Sequence, residues 1–261
     1  MKISSNCALV GSTGFIGTTL KRQRSFTHYF QSQNSHLIQE SSYSELVCAG
    51  APAQKWLANE SPTADFLNIE RLWQSLKNVQ ADHFTLISTV DVFSSPVGVN
   101  ELSEPSQSLG NAYGRNRFWL EERVKETFEN HLIVRLPGLV GPGLKKNVIF
   151  DFQNQNNVDL IDSRSIFQFY PTRHLGDDIS RARSESIKLI HLAAEPISVK
   201  QLALLGFGLR FENELNAIPA QYDLQTVHGG LWGRNSPHAY SVDSTMQAVF
   251  EYRRSSEGTI M

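Results

Sequence analysis

Cysteine is nearly absent from this sequence, with Cys7 and Cys48 alone in 261 residues. Both lie in apolar runs, so they read as buried thiols of a reducing compartment rather than as a disulfide framework. Long apolar runs are missing too. No uninterrupted segment could span a bilayer, and no secretory apolar region follows Lys2, which predicts a cytoplasmic protein that does not engage a membrane. Neither sign of charge dominates: 24 Lys and Arg stand against 26 Asp and Glu, a net charge of -2, and the charges are interspersed. That balance argues against a nucleic-acid surface. The eight histidines are scattered without metal-ligand spacing, so no metal site is expected. Internal repeats and long low-complexity segments are also lacking. What remains is a chain with 40% hydrophobic and 19% charged residues, enough for one substantial core or a large domain with a smaller companion.

The most informative stretch is Cys7-Ala8-Leu9-Val10-Gly11-Ser12-Thr13-Gly14-Phe15-Ile16-Gly17. A short apolar strand ends in a Gly-x-x-Gly-x-x-Gly turn, inside which a helix begins. Glycines relieve the steric limits of such a turn, and the free N–H groups of the helix start suit a pyrophosphate. The spacing differs by one residue from G-x-G-x-x-G. From these residues alone, a nucleotide cradle and a tight structural turn are both open readings.

The spacing beyond it predicts a helix over 15–23, a strand over 26–30, a polar loop over 31–34 and a brief helix over 36–40. Ser44 to Pro52 reads as a strand running into a Gly/Pro-bounded loop. Phe66, Ile69, Leu72, Trp73 and Leu76 give the segment 65–79 one packing face of a helix. A strand with a polar exit covers 83–93, and Ser94 to Gly110 is a Ser/Pro/Gly-rich loop. A helix over 113–128 carries a Glu121/Lys125 pair, and a strand follows over 132–136. The repeated strand-to-helix order implies right-handed βαβ crossovers and a mostly parallel sheet. Beyond Pro137 the rhythm weakens. Helices are expected over 147–152, 175–184, 199–205 and 239–251, with two short strands within 159–170 and a strand over 188–192 that returns to the main sheet.

Ser88 and Thr89 fall at a strand's carboxyl end, the ligand-facing side of an open α/β sheet. Tyr113 and Arg117, four residues apart, share one helix face. A Tyr facing a Thr can pass a proton to or from a substrate oxygen, and a nearby cation would lower the phenol's pKa. The bland alternative has Tyr113 covering the core and Arg117 meeting solvent. An NAD site often carries an acid near the end of its second strand to take the ribose hydroxyls. None stands here, and Asn34 or Ser32 is the available polar group, or else a surface turn. His228 and Trp232, in the glycine-rich stretch 228–234, are read as packing.

The ordered set Gly11 to Gly17, Ser88-Thr89-Val90-Asp91-Val92-Phe93, Tyr113-Gly114-Arg115-Asn116-Arg117 with Glu121, and Arg135 to Gly143 resembles the extended short-chain dehydrogenases/reductases. Within them it is most similar to the NAD-dependent epimerase/dehydratase branch, including reductases of deoxysugar nucleotides. The resemblance spans residues 7–143 and is diffuse beyond. It implies an α/β fold, a Rossmann-like doubly wound parallel sheet, over 1–143. Residues 144–261 would supply a small substrate lobe and returning sheet elements. It also implies an NAD or NADP cofactor held by Gly11, Thr13, Gly14, Phe15, Ile16 and Gly17. Ala49, Gly50, Ala51 and Asn34 would add to that site, as would Pro137, Leu139 and Val140 at the nicotinamide border. Thr89 and Tyr113 fall on the family's catalytic positions. Arg117 stands where the family has Lys, a residue that binds the nicotinamide ribose and lowers the Tyr pKa. The planar guanidinium keeps the charge but cannot place a compact ammonium, a departure that bears on catalysis more than on cofactor binding. Asp91, Asn147, Tyr170 and Arg173 are the candidate substrate contacts. The implied activity is an oxidoreductase or epimerase acting on a nucleotide sugar or related carbonyl or hydroxyl compound, plausibly as a homodimer. The alternative is a dinucleotide-binding sensor with little turnover.

Overall fold

A computed structural model describes residues 6–105 and 110–257. The tip of the expected 94–110 loop, residues 106–109, lies outside the described residues. The chain forms two compact units. The first gathers the chain up to Ser94, Glu104–Arg135 and Gly176–Ile190. The second gathers Ser95–Ser103, Leu136–Leu175 and the chain from His191 onward.

The first unit is built on six strands: β1 (Cys7–Val10), β2 (His28–Phe30), β3 (Glu45–Cys48), β4 (Phe84–Thr89), β5 (His131–Leu136) and β6 (Leu189–His191). Their order is β2-β1-β3-β4-β5-β6, all parallel. Val10 pairs with Phe30 on one side and Cys48 on the other, and Cys48 pairs with Leu86. Every residue of β1, β3 and β5 is buried, as in a sheet covered on both faces. The covering helices are α1 (Phe15–Gln23), α2 (Lys55–Glu60), α3 (Pro62–Leu76), α4 (Ala112–Thr127) and α5 (Leu175–Ser184). Strand order reverses between β1 and β3, since the chain first adds β2 on one side and then everything else on the other.

The expected elements are present, with shifted ends. Strand β2 is shorter than 26–30 because the chain joins the sheet only after Thr27, whose amide donates to the Cys7 carbonyl at 2.8 Å. Helix α3 begins at Pro62 rather than Asp65, with the proline at a helix start where no N–H is needed. Its buried stripe is Ile69, Trp73 and Leu76, and Asp65 extends that stripe by one turn. Helix α2 was not expected. It is six residues of mixed polarity, and no apolar period announces it. Both cysteines are free and buried, and burial pushes the Cys48 thiol up to about 11.

The second unit uses short strand pairs. Gly138–Val140 lies parallel to Phe169–Pro171, Ile166–Phe167 antiparallel to Ile197–Ser198, and Val97–Val99 parallel to Asp223–Leu224. Helices Val148–Asn154, Val199–Phe207 and Val242–Glu257 pack with them. Two-residue strands lack a readable alternation, which is why the rhythm fades after Pro137. Among the described residues no helix is long and apolar enough to cross a membrane.

Candidate functional site

At the carboxyl end of β1 the chain turns at Gly11, whose φ of 79° favours glycine. The Gly11 and Ser12 amides donate to the Phe30 carbonyl at 2.8 and 3.2 Å, docking the turn on the end of β2. On the other side a Cβ on Gly11 would lie 2.3 Å from the Ala49 carbonyl oxygen. The glycine turn is thus wedged against Ala49 and Gly50 where the strand order reverses, the crevice in which open α/β sheets bind ligands. A Cβ on Gly17 would lie 2.1 Å from the Gly11 oxygen, so the first turn of α1 presses onto the loop. Gly14 differs. Its Cβ would meet only the Gly11 oxygen, at 3.5 Å, and Thr13 and Gly14 are exposed. Gly14 caps α1 without a side-chain hydrogen bond, leaving the N–H groups of the first helical turn without intrahelical acceptors. Two closed glycines and one open one make a cradle with room for a phosphate group. Asn34 spends its amide on its own turn, accepting from the Gln31 amide at 2.7 Å and donating to the Tyr29 carbonyl at 3.1 Å.

Thr89 ends β4 on the same carboxyl edge. Its hydroxyl accepts from the Asp91 amide at 3.2 Å and lies 3.4 Å from Asp91 Oδ2. Helix α4 begins beside this turn: a Cβ on Gly114 would be 1.7 Å from the Asp91 carbonyl oxygen, so only glycine lets Tyr113 approach so closely. Asn111 caps the helix through the Gly114 amide at 3.0 Å. Asn59 of α2 accepts from the Tyr113 amide at 3.2 Å, and one turn earlier Lys55 Nζ sits 2.7 Å from Asp91 Oδ1. Thr89, Asp91, Tyr113 and Lys55 therefore meet in one place.

Arg117 is buried rather than solvated. Its guanidinium grips Asp65 with both Nη atoms, Nη2 reaching Oδ1 at 2.8 Å, while Nη2 donates to the Pro52 carbonyl at 2.6 Å and Nη1 to the Tyr113 carbonyl at 3.1 Å. Asn116 adds a bond to Asp65 at 2.8 Å. The guanidinium carbon lies 3.8 Å from the centre of the Tyr113 ring. Arg117 thus acts on the ring face and α3, with its fork committed. The expected lowering of the Tyr113 pKa is not the outcome. Burial pushes the phenol up, Arg117 and Lys55 pull it down, Asp91 and Asp65 push it up, and the balance lies above the ordinary value.

Beneath Thr89, Ser88 donates to Glu121 at 2.5 Å, and Arg135 reaches the same carboxylate at 2.6 Å. Glu121 and Arg135 are fully buried. The expected Glu121/Lys125 pair is corrected by this: Glu121 points into the unit, and Lys125 pairs instead with Glu122 at 2.8 Å. The signal was available, because Leu120, Glu121 and Val124 lie on one helical face and a carboxylate there needs an internal cation. Asp65 on the stripe of Ile69 and Trp73 carried the same message.

Pro137, Leu139, Val140, Asn147, Tyr170 and Arg173 belong to the second unit. Leu139 and Val140 pair with Tyr170 and Pro171. Asn147 caps its helix through the Ile149 amide at 3.0 Å and holds the Leu139 carbonyl at 2.9 Å. Tyr170 is fully buried against Tyr240, and Arg173 binds Glu251 at 2.6 Å and Gln247 at 3.0 Å. Their side chains are spent on packing within that unit. Trp232 likewise packs edge-on to Tyr240.

Among solved structures, the chain superimposes on dTDP-4-dehydrorhamnose reductase from Yersinia enterocolitica with a TM-score of 0.73 at 17% identity, covering 95% of this chain and 98% of that one. For the Bacillus anthracis str. Ames dTDP-4-dehydrorhamnose reductase in complex with NADP the score is 0.72 at 18% identity, covering 96% and 99%. For UDP-N-acetylglucosamine 4-epimerase from Methanobrevibacter ruminantium M1 it is 0.78 at 12%, covering 98% and 99%. The chain has the extended short-chain dehydrogenase/reductase fold. No protein-family model matches the sequence, and no curated protein matches it significantly. At these identities the likeness establishes the fold, and the local geometry must carry the chemistry.

Proposed function

We propose that the protein binds NAD or NADP at the glycine turn and reduces, or interconverts through oxidation, a carbonyl or hydroxyl group of a nucleotide-linked sugar. The observation that carries this reading is the convergence on one carboxyl edge of the open Gly14 cradle, the Thr89–Asp91 turn and the start of α4 with Tyr113. The substrate class follows the solved structures of the same fold, whose names are those of dTDP- and UDP-sugar enzymes.

Gly11, Thr13, Gly14, Phe15, Ile16 and Gly17 hold the pyrophosphate, with Ala49, Gly50 and Ala51 alongside. When bound, the nicotinamide supplies or removes a hydride. Thr89 Oγ1 orients the substrate oxygen, and Tyr113 Oη exchanges a proton with it. A phenol whose pKa is raised is protonated at neutral pH, so the resting site is ready to donate, as reduction of a carbonyl requires. Glu121, Ser88 and Arg135 fix the backbone behind Thr89.

Calorimetry with NAD+, NADH, NADP+ and NADPH tests the first part: at least one binds, and absence of heat from all four at millimolar ligand with folded protein overturns it. In a cofactor-absorbance screen over nucleotide sugars, Tyr113→Phe abolishes turnover, and undiminished turnover refutes the proton-transfer role. The commitment of Arg117 to Asp65 favours a second reading, a dinucleotide-binding sensor. Tight dinucleotide binding without turnover on any sugar nucleotide would select it.

A further inference from the structure

Two cations flank Tyr113, and they differ in what they are free to do. Arg117 occupies the helix position four residues on, but it is 3% exposed, its carboxylate partner Asp65 is 7% exposed, and both Nη atoms already serve Asp65 and two carbonyls. A guanidinium held by so many bonds cannot follow a charge that appears at the phenol oxygen. Lys55 comes from α2. Lys55 and Asn59 are four residues apart and share one face of that helix. Asn59 takes the Tyr113 amide, and Lys55 reaches Asp91 with a single contact at 2.7 Å, its side chain 39% exposed. The same short helix thereby fixes the start of α4 and presents an ammonium beside the Thr89–Asp91 turn. The charged groups acting on Tyr113 come from four elements: Arg117 from α4, Asp65 from α3, Asp91 from the turn after β4 and Lys55 from α2.

We infer that Lys55, anchored by Asp91, is the compact cation that supports Tyr113 as its proton leaves, a part that Arg117 in its locked pair cannot play. Lys55 is a positioning residue in this sense, acting through Tyr113. A lysine stem is flexible and its ammonium is a point charge, whereas the arginine fork is already matched to a carboxylate. Asp91 competes with the phenolate for the ammonium, so it sets how much of that charge Tyr113 feels. The role in catalysis rests on the dinucleotide-enzyme reading above, whereas the electrostatic coupling does not.

The test replaces Tyr113 with a fluorinated tyrosine that titrates near neutrality, where Lys55 stays charged, and follows phenolate absorbance against pH in the full-length protein. Lys55→Met is expected to raise the midpoint by about 0.5–1 pH unit, Lys55→Arg to restore most of the shift, and Asp91→Asn to lower the midpoint. A merely structural role would move Lys55→Met and Asp91→Asn in the same direction. An unchanged midpoint in Lys55→Met, or shifts of the same sign in that variant and Asp91→Asn, overturns the inference. Should Lys55→Met fold poorly by circular dichroism, Lys55→Gln gives the same reading. Calorimetric binding of NADPH to the unsubstituted protein is measured in parallel. Loss of binding with intact opposite shifts sinks the functional reading alone, and intact binding without the shifts sinks Lys55 alone.

Discussion

The two edges of the main sheet carry charge in opposite ways. At the amino edge, Glu45 at the start of β3 is buried between Arg24, which grips it with both Nη atoms, and Arg183 of α5 at 2.7 Å. His83 and His131 sit on the same edge, just before and at the start of their strands. Here the arginines keep contact with water, being 20% and 27% exposed. At the carboxyl edge, Glu121 faces Arg135 with neither side chain reaching solvent, and Asp65 holds Arg117 almost as deeply. Above them lie backbone groups left open, the exposed Thr13 and Gly14. An edge that only joins elements satisfies its charges and lets water share the load. The ligand-facing edge buries complete ion pairs as a floor, which is costly unless the pairs are fully bonded, and keeps its unsatisfied donors for the cradle.

The sharpest way to break this comparison is Glu121→Ala. It strands the fully buried Arg135 and is expected to cost about 3–5 kcal/mol in urea denaturation. Glu45→Ala, whose arginines can turn to water, should cost distinctly less. Equal losses would mean that the two edges do not differ as described. Next, Gly17→Ala and Gly14→Ala separate floor from cradle. The Gly17 Cβ collides with backbone, and a loss of about 1–3 kcal/mol is expected. The Gly14 Cβ has room in the fold, so stability should change by only a few tenths of a kcal/mol, while dinucleotide binding by calorimetry weakens at least tenfold. Unchanged binding in Gly14→Ala would remove the cradle from the comparison.

The smallest effect belongs to the amino edge. Burial, with Arg183 second, lowers the His83 pKa from its ordinary 6.5 to about 4. Glu45 is raised by burial but lowered more by Arg24 and Arg183, for a net lowering. Both groups bind protons less readily in the folded protein than in the unfolded chain. Stability from His83 is therefore complete above pH 6.5 and lost as pH falls towards 4, with Glu45 adding its loss at lower pH. Since His83 is partly solvated, the expected loss is about 1 kcal/mol, after allowance for screening. Denaturation of His83→Gln at pH 7 and pH 5 should show a flatter dependence than the parent, and identical slopes would dismiss His83.

Much of the first unit was legible in the sequence. The Cys7–Gly17 stretch, helix 15–23, the apolar spacing from Phe66 to Leu76 and the return of residues 188–192 to the sheet all stand in the structure, because each rests on local periodicity or on a backbone demand. Of the site, the placement of Thr89, Tyr113 and the glycine turn on one edge followed from strand ends. The state of Tyr113 did not, because a lowered pKa was inferred from Arg117 alone, without the burial and the two carboxylates that outweigh it. Lys55 went unnoticed because α2 has no apolar stripe.

Alternation, helical spacing and glycine placement were thus enough to set the order of strands and helices and the position of the turn after β1, since they act within a few residues. The pairing of charges was decided only in three dimensions. Asp65 and Arg117 are 52 residues apart, and Lys55 and Asp91 are 36 apart. Which of the two cations is locked and which stays near water depends on how α2, α3 and α4 stack against the sheet. Charges act through space in a medium set by burial, so their partners are fixed by packing rather than by neighbours in the chain.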